Sequence, residues 1–184
     1  MLPVTDVSKW QELKASYERI FLGTSPSEPM YQCHIAEKLI VFPIEGMHLT
    51  EEQYHALVQA AAFTDDTEFY VSEIEMPDGF DRRYDPERAT HWKSSAACPY
   101  QAYRDTTIVL ENAIYSRSGR WGVILSAEDH AVVGGSSEFM AAFRRFYPRW
   151  PLDMDAFASC WSEYARSRNT DVTWLSAYID YIYK

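Results

Sequence analysis

Residues 106–135 alternate between runs of β-branched or aromatic residues and short polar turns. Thr106 to Tyr115 and Trp121 to Ser126 are both rich in residue types that suit a pleated, half-buried surface. Ser116-Arg117-Ser118-Gly119 lies between them, and a hairpin loop of this length needs a residue such as Gly119 that takes positive φ without a Cβ clash. Ala127-Glu128-Asp129-His130 supplies a second polar turn before a third short run, Ala131 to Val133. Gly134-Gly135 ends that run, and Ser136 or Ser137 is placed to cap a helix behind it. The pattern predicts a three-stranded antiparallel meander that runs into a helix.

The same reading places elements on either side. Ser8 with Gln11 reads as a capping box for a first helix that buries Trp10, Leu13, Tyr17, Ile20 and Phe21 and stops at Gly23. Leu39 to Phe42 reads as a strand ended by Pro43. The clearest helix start is Thr50 with Gln53, flanked by a Leu49–Tyr54 staple and followed by a stripe of Tyr54, Leu57, Val58 and Ala61 that ends near Phe63. Thr67 to Met76 alternates as a strand, with Phe69, Val71 and Ile74 inward and Glu68, Ser72, Glu73 and Glu75 outward. One register shift between Val71 and Ile74 suggests a bulge.

Pro77-Asp78-Gly79 is a turn, and Arg82 to Tyr103 reads as a long loop with a short strand near His91-Trp92-Lys93. Three further helices follow. One carries Phe139, Ala142, Phe143 and Phe146; a second is capped by Asp153 and carries Phe157, Trp161 and Tyr164; a third is capped by Asp171 and carries Leu175, Tyr178 and Ile182. The expected architecture is α+β in a single domain over 1–184. An antiparallel sheet of about five strands, centred on the 106–133 meander, would have helices packed on it from both chain ends.

Composition narrows the class. A chain of 184 residues with 47% hydrophobic and 24% charged residues can bury a proper core, which excludes a disordered tail or a membrane protein. The N-terminal MLPVTDVSKW lacks the basic and apolar regions of a signal peptide. Cys33, Cys98 and Cys160 are odd in number and far apart, as expected of reduced thiols buried as small hydrophobes in a cytoplasmic protein.

Charge changes the picture more. Of the 27 acids, 15 fall in residues 1–81 against 4 of the 17 Lys and Arg, so the net charge of −10 belongs to the front of the chain. The stretch Asp65 to Asp81 holds 7 acids and no base. Such a field repels nucleic acid and anionic lipid and steers a basic partner inward. Asp65, Asp66, Glu68, Glu73, Glu75, Asp78 and Asp81 are therefore the candidate partner-binding residues.

Linear catalytic motifs are missing: there is no GxGxxG, Walker loop, GxSxG, HExxH or paired CxxC. Asp129-His130 is the most inviting local pair, since a carboxylate can orient a histidine base, although adjacent residues in a tight turn point in different directions. Cys33 and His34 would project to opposite faces of a strand, giving a buried Cys and a half-exposed His. His48, His55 and His91 have no metal-site spacing, and no metal or cofactor is expected. Gly134-Gly135-Ser136-Ser137 can present amides to an anion but reads better as a strand-to-helix turn.

Three segments carry a resemblance: Leu110-Glu111-Asn112-Ala113-Ile114-Tyr115-Ser116, Arg120-Trp121-Gly122-Val123, and Asp129-His130-Ala131-Val132-Val133-Gly134-Gly135. Together they resemble small bacterial immunity proteins of polymorphic-toxin and contact-dependent growth inhibition systems. The resemblance implies a cytoplasmic α+β toxin inhibitor that binds one cognate toxin domain and blocks it, with no catalytic residues of its own. With the acidic balance, the expected partner is a basic, nuclease-type toxin domain, with neither nucleic acid nor membrane as a partner. The alternatives are a small hydrolase or transferase using His130 with Asp129, or His34, and a non-catalytic adaptor.

Overall fold

A computed structural model describes residues 1–24, 30–74, 80 and 88–183. Seven strands form one open, wholly antiparallel sheet: β1 (Leu2–Pro3), β2 (Glu37–Val41), β3 (Glu68–Glu73), β4 (His91–Ser95), β5 (Asn112–Ser116), β6 (Trp121–Leu125) and β7 (Ala131–Gly135). Their spatial order is β1-β4-β3-β5-β6-β7-β2. The fold class is α+β as expected, and the sheet is wider than the five strands anticipated. The meander β5-β6-β7 lies at its heart, although its first strand starts at Asn112 rather than Thr106.

Helices cover both faces. On one lie α2 (Glu51–Phe63), α3 (Tyr100–Arg104) and α4 (Ser137–Phe146), packed on Leu39, Val41, Phe69, Val71, Ile114, Trp121, Val123 and Val133. On the other lie α1 (Trp10–Glu18), α5 (Trp150–Arg168) and α6 (Trp174–Tyr183), against Ile40, Tyr70, Ala113, Tyr115, Ile124 and Val132. Alternate residues of each central strand thus feed two separate cores, as the pleat requires. Ser72 and Glu73, expected to face water, are buried because helices screen both sides. The β3 register runs unbroken from Phe69↔Ser116 to Glu73↔Asn112, so the expected bulge is absent.

Local signals explain several elements. Thr50 Oγ1 accepts from Gln53 N while Gln53 Oε1 accepts from Thr50 N, completing the capping box of α2. Replacing Thr50 with Ala should cost about 1 kcal/mol, read by urea denaturation; no change would show that the Gln53 arm suffices. The first helix differs from expectation: a 3₁₀ turn over Val7–Lys9 precedes α1, and Asp6, not Ser8, is the cap, accepting from Ser8 N at 3.0 Å. Gly122 and Gly134, neighbours across β6 and β7, let the chain between α1 and β2 lie directly on the sheet. A Cβ at Gly122 would sit 2.5 Å from the Phe21 ring, and one at Gly134 2.7 Å from the Tyr31 ring.

The two sheet edges are finished differently. Along β2, backbone donors meet side-chain oxygens from the C-terminal helices: Ile40 N donates to the Tyr183 hydroxyl (3.3 Å) and Phe42 N to Asp153 Oδ2 (3.0 Å). Asp153 therefore does not cap its helix. It lies buried within the first turn of α5, whose start is Trp150-Pro151. At the other edge, among the described residues, β4 is flanked by the two residues of β1.

Candidate functional site

The acidic stretch comes first because charge made it the leading candidate. β3 lies between β4 and β5, so its acids meet bases from the later half of the chain. Glu68 accepts from Lys93 (2.7 Å) and Arg117 (3.0 Å), and these hydrogen bonds, Lys93 foremost, hold its carboxyl below the usual range. Asp66 is buried, accepting from the Ser118 hydroxyl with Arg120 Nε at 3.4 Å. Glu73, 4% exposed, takes Arg88 and the Val109 N–H on the same oxygen, both at 2.8 Å. The uncompensated charge expected at Asp66, Glu68 and Glu73 is therefore corrected: these acids serve the fold. Asp65 is exposed, in the left-handed region at φ 52°. Glu75, Asp78 and Asp81 lie outside the described residues.

Unpaired acid gathers elsewhere, at the end of the sheet where β5 begins and β6 turns into β7. Glu111 is half-buried and accepts from the Ser126 hydroxyl and the Ala127 N–H, each at 3.2 Å. Glu128 and Asp129 are exposed on the turn beside it, Asp129 at φ 58°. Partial burial, then repulsion from Glu111, raises the Glu128 carboxyl above its ordinary value. No ion pair reaches Glu111, Glu128 or Asp129 among the described residues. The turn chemistry is legible in the sequence, whereas Glu111 reads there as an ordinary strand residue. Only the β5↔β6 register brings it to the turn.

His130 stands next to these acids but faces inward, 2% exposed. Its Nε2 lies 3.0 Å from the Tyr178 hydroxyl, its Nδ1 3.3 Å from the Glu128 carbonyl, and its ring packs on Phe157. No hydrogen bond links it to Asp129, so the base–orienter pair of the alternative, enzymatic reading does not form. Burial lowers the imidazole pKa to about 4. Because the folded value lies below the unfolded value of about 6.5, this group contributes stability above pH 6.5 and loses it as pH falls towards 4. Between pH 7 and pH 5 the loss should be about 2 kcal/mol. His130→Phe should flatten that slope in urea melts at the two pH values, and an unchanged slope would place the acid sensitivity elsewhere.

A second buried histidine was not anticipated. His91 Nδ1 lies 2.9 Å from Ser72 Oγ, which lies 2.8 Å from the Tyr115 hydroxyl. Cross-strand register assembles this trio from β3, β4 and β5, so no linear motif could announce it. Serine beside histidine is the spacing of an activated nucleophile. Here all three side chains are fully buried, and His91 is stacked on Phe80 and met edge-on by Trp10. The trio satisfies core polar groups.

The remaining candidates separate. Cys33 and Cys160 are exposed and Cys98 is half-buried, against the expectation of buried thiols; His34 is exposed. Ser136 spends its hydroxyl on the Phe139 N–H, so the Gly134–Ser137 turn is a helix cap. Among the described residues no group of His, Cys, Asp and Glu is arranged to hold a metal ion, and no helix is long and apolar enough to cross a membrane. Comparison with protein families, with curated proteins and with solved structures finds no match to this chain.

Proposed function

We propose that this protein is an immunity-type inhibitor that binds and neutralises a cognate, basic, nuclease-type bacterial toxin domain through protein–protein contact. The observation that carries the reading is the group Glu111, Glu128 and Asp129, which has no ion-pair partner among the described residues, with Glu128 and Asp129 exposed on the turn between β6 and β7 and Glu111 half-buried beside them. A basic active-site cleft is complementary to such a projection, and opposite fields accelerate encounter. The His130 side chain, spent on Tyr178 and Phe157, supports a recognition role for this end over a reaction. The acids of β3 drop out of the docking surface because their charge is already met.

The test is association with the product of the neighbouring gene, which this reading expects to carry a basic toxin domain. Glu111→Lys, Glu128→Lys and Asp129→Lys combined should lower the association rate about 10- to 100-fold at low salt and remove most of its salt dependence. Glu163→Lys, on an exposed stretch of α5, is the control and should change neither. Binding that ignores the triple reversal, or a neighbouring gene product that does not bind at all, would overturn the reading.

A further inference from the structure

We infer that α6 is an acid-released cover: it leaves the sheet as a unit when His130 beneath it takes up a proton, and so uncovers the backbone donors it holds. The inference goes beyond the acidic surface above and does not rest on it. α6 buries Leu175, Tyr178 and Ile182, spaced i, i+3 and i+7 along one stripe. Its tyrosine hydroxyls reach the body of the protein at three points. Tyr178 meets His130 Nε2 at 3.0 Å, Tyr181 accepts from Tyr31 N at 2.9 Å, and Tyr183 accepts from Ile40 N at 3.3 Å. Residues 169–173 join it to α5, starting at Asn169 in the left-handed region (φ 50°). A helix docked on so narrow a stripe belongs to the part of a fold that opens below the free energy of global unfolding.

His130 sets the condition for opening. A carbonyl only accepts, so Nδ1 carries the proton towards Glu128 O, and Nε2 accepts from the Tyr178 hydroxyl. A second proton, on Nε2, would place a cation against the Phe157 and Tyr178 rings in a site closed to water. α5 meets the imidazole with the Phe157 ring and α6 with the neutral Tyr178 phenol, while Glu128 and Asp129 lie on its own turn and Glu111 at the start of β5. The Glu128 carbonyl and the Asp129 carboxylate favour the cation, but burial outweighs them and holds the imidazole at about 4 while α6 is docked. With α6 lifted, water reaches the ring, the acids stay beside it, and the value returns to about 6.5. Docking is therefore at full strength above pH 6.5 and weakens as pH falls towards 4. Between pH 7 and pH 5 the open population should rise about 20-fold.

The test is amide hydrogen exchange on the full-length protein at pH 7 and pH 5, corrected for the intrinsic pH dependence of exchange, in urea below the unfolding transition. Tyr31, Ile40 and the α6 amides are expected to exchange ahead of Ile114 and Val123 in the central strands, through an opening that urea barely promotes. That opening should be about 20-fold more populated at pH 5. His130→Phe should remove the pH factor, and His130→Gln, also neutral, makes the same measurement if the phenylalanine variant does not fold. Tyr178→Phe, which keeps the ring, should raise exchange at pH 7 and retain the factor. Exchange of the α6 amides in step with Val123 at every urea concentration overturns the inference, because the helix then opens only with the whole fold. The full pH factor persisting without His130 overturns it equally, because another group is then the one that titrates.

Discussion

Trp121→Ala should destabilise the protein by about 3–5 kcal/mol, the largest single loss expected in the sheet. The indole is fully buried at the start of β6, stacked on Phe139 of α4 with centroids 5.0 Å apart and tilted against Phe69 of β3. It therefore joins three elements through one side chain. Its cross-strand partner is Gly135, where a Cβ would come within 3.0 Å of the Trp121 Cβ and 2.8 Å of the Phe139 ring. The cavity left by alanine adds its cost to the lost transfer energy. Trp121→Phe should cost much less, because the indole N–H has no hydrogen-bond partner to lose among the described residues. Equal losses for the two variants in urea denaturation would mean that the N–H is satisfied by an ordered group and that volume is not the governing quantity.

What could be read from the chain follows the range of the forces involved. The meander, the α2 capping box and the α4 stripe are local: alternation, a turn glycine and an i, i+3 cap all act within a few residues. β1 was missed because two residues carry no period, and α3 because a five-residue helix leaves no stripe. Asp153 looked like a cap by its position before an apolar stripe, yet the helix starts upstream of it. For Asp66, Glu68 and Glu73 the charge count along the chain misleads for a topological reason. Counting along the chain leaves the acids of β3 uncompensated, but the order β4-β3-β5 places Lys93 and Arg117 on either side of Glu68. The same folding back gathers Glu111 with Glu128 and Asp129, and Ser72 with His91, from positions that spacing alone keeps apart.

Asp153→Ala should cost about 2–5 kcal/mol and loosen the C-terminal helices from the sheet edge. One carboxylate oxygen accepts from Phe42 N (3.0 Å), the outermost backbone donor after β2, and from the Tyr147 hydroxyl (2.6 Å). The other oxygen faces Arg149 Nε at 3.4 Å. Asp153 is 1% exposed, so its loss strands one buried donor, the Tyr147 hydroxyl, and one part-buried donor, Phe42 N, at about 1–3 kcal/mol each. Asn at this position keeps one acceptor oxygen and should recover about half the loss. The consequence reaches beyond stability, because Asp153 and Tyr183 together cover the β2 donors that would otherwise pair with another strand. Asp153→Ala combined with Tyr183→Phe should therefore exchange the Ile40 and Phe42 amides faster and self-associate as concentration rises, by light scattering. A double variant that stays monomeric with both amides protected would show that α5 and α6 shield the edge by packing alone, and that the two oxygens contribute nothing to it.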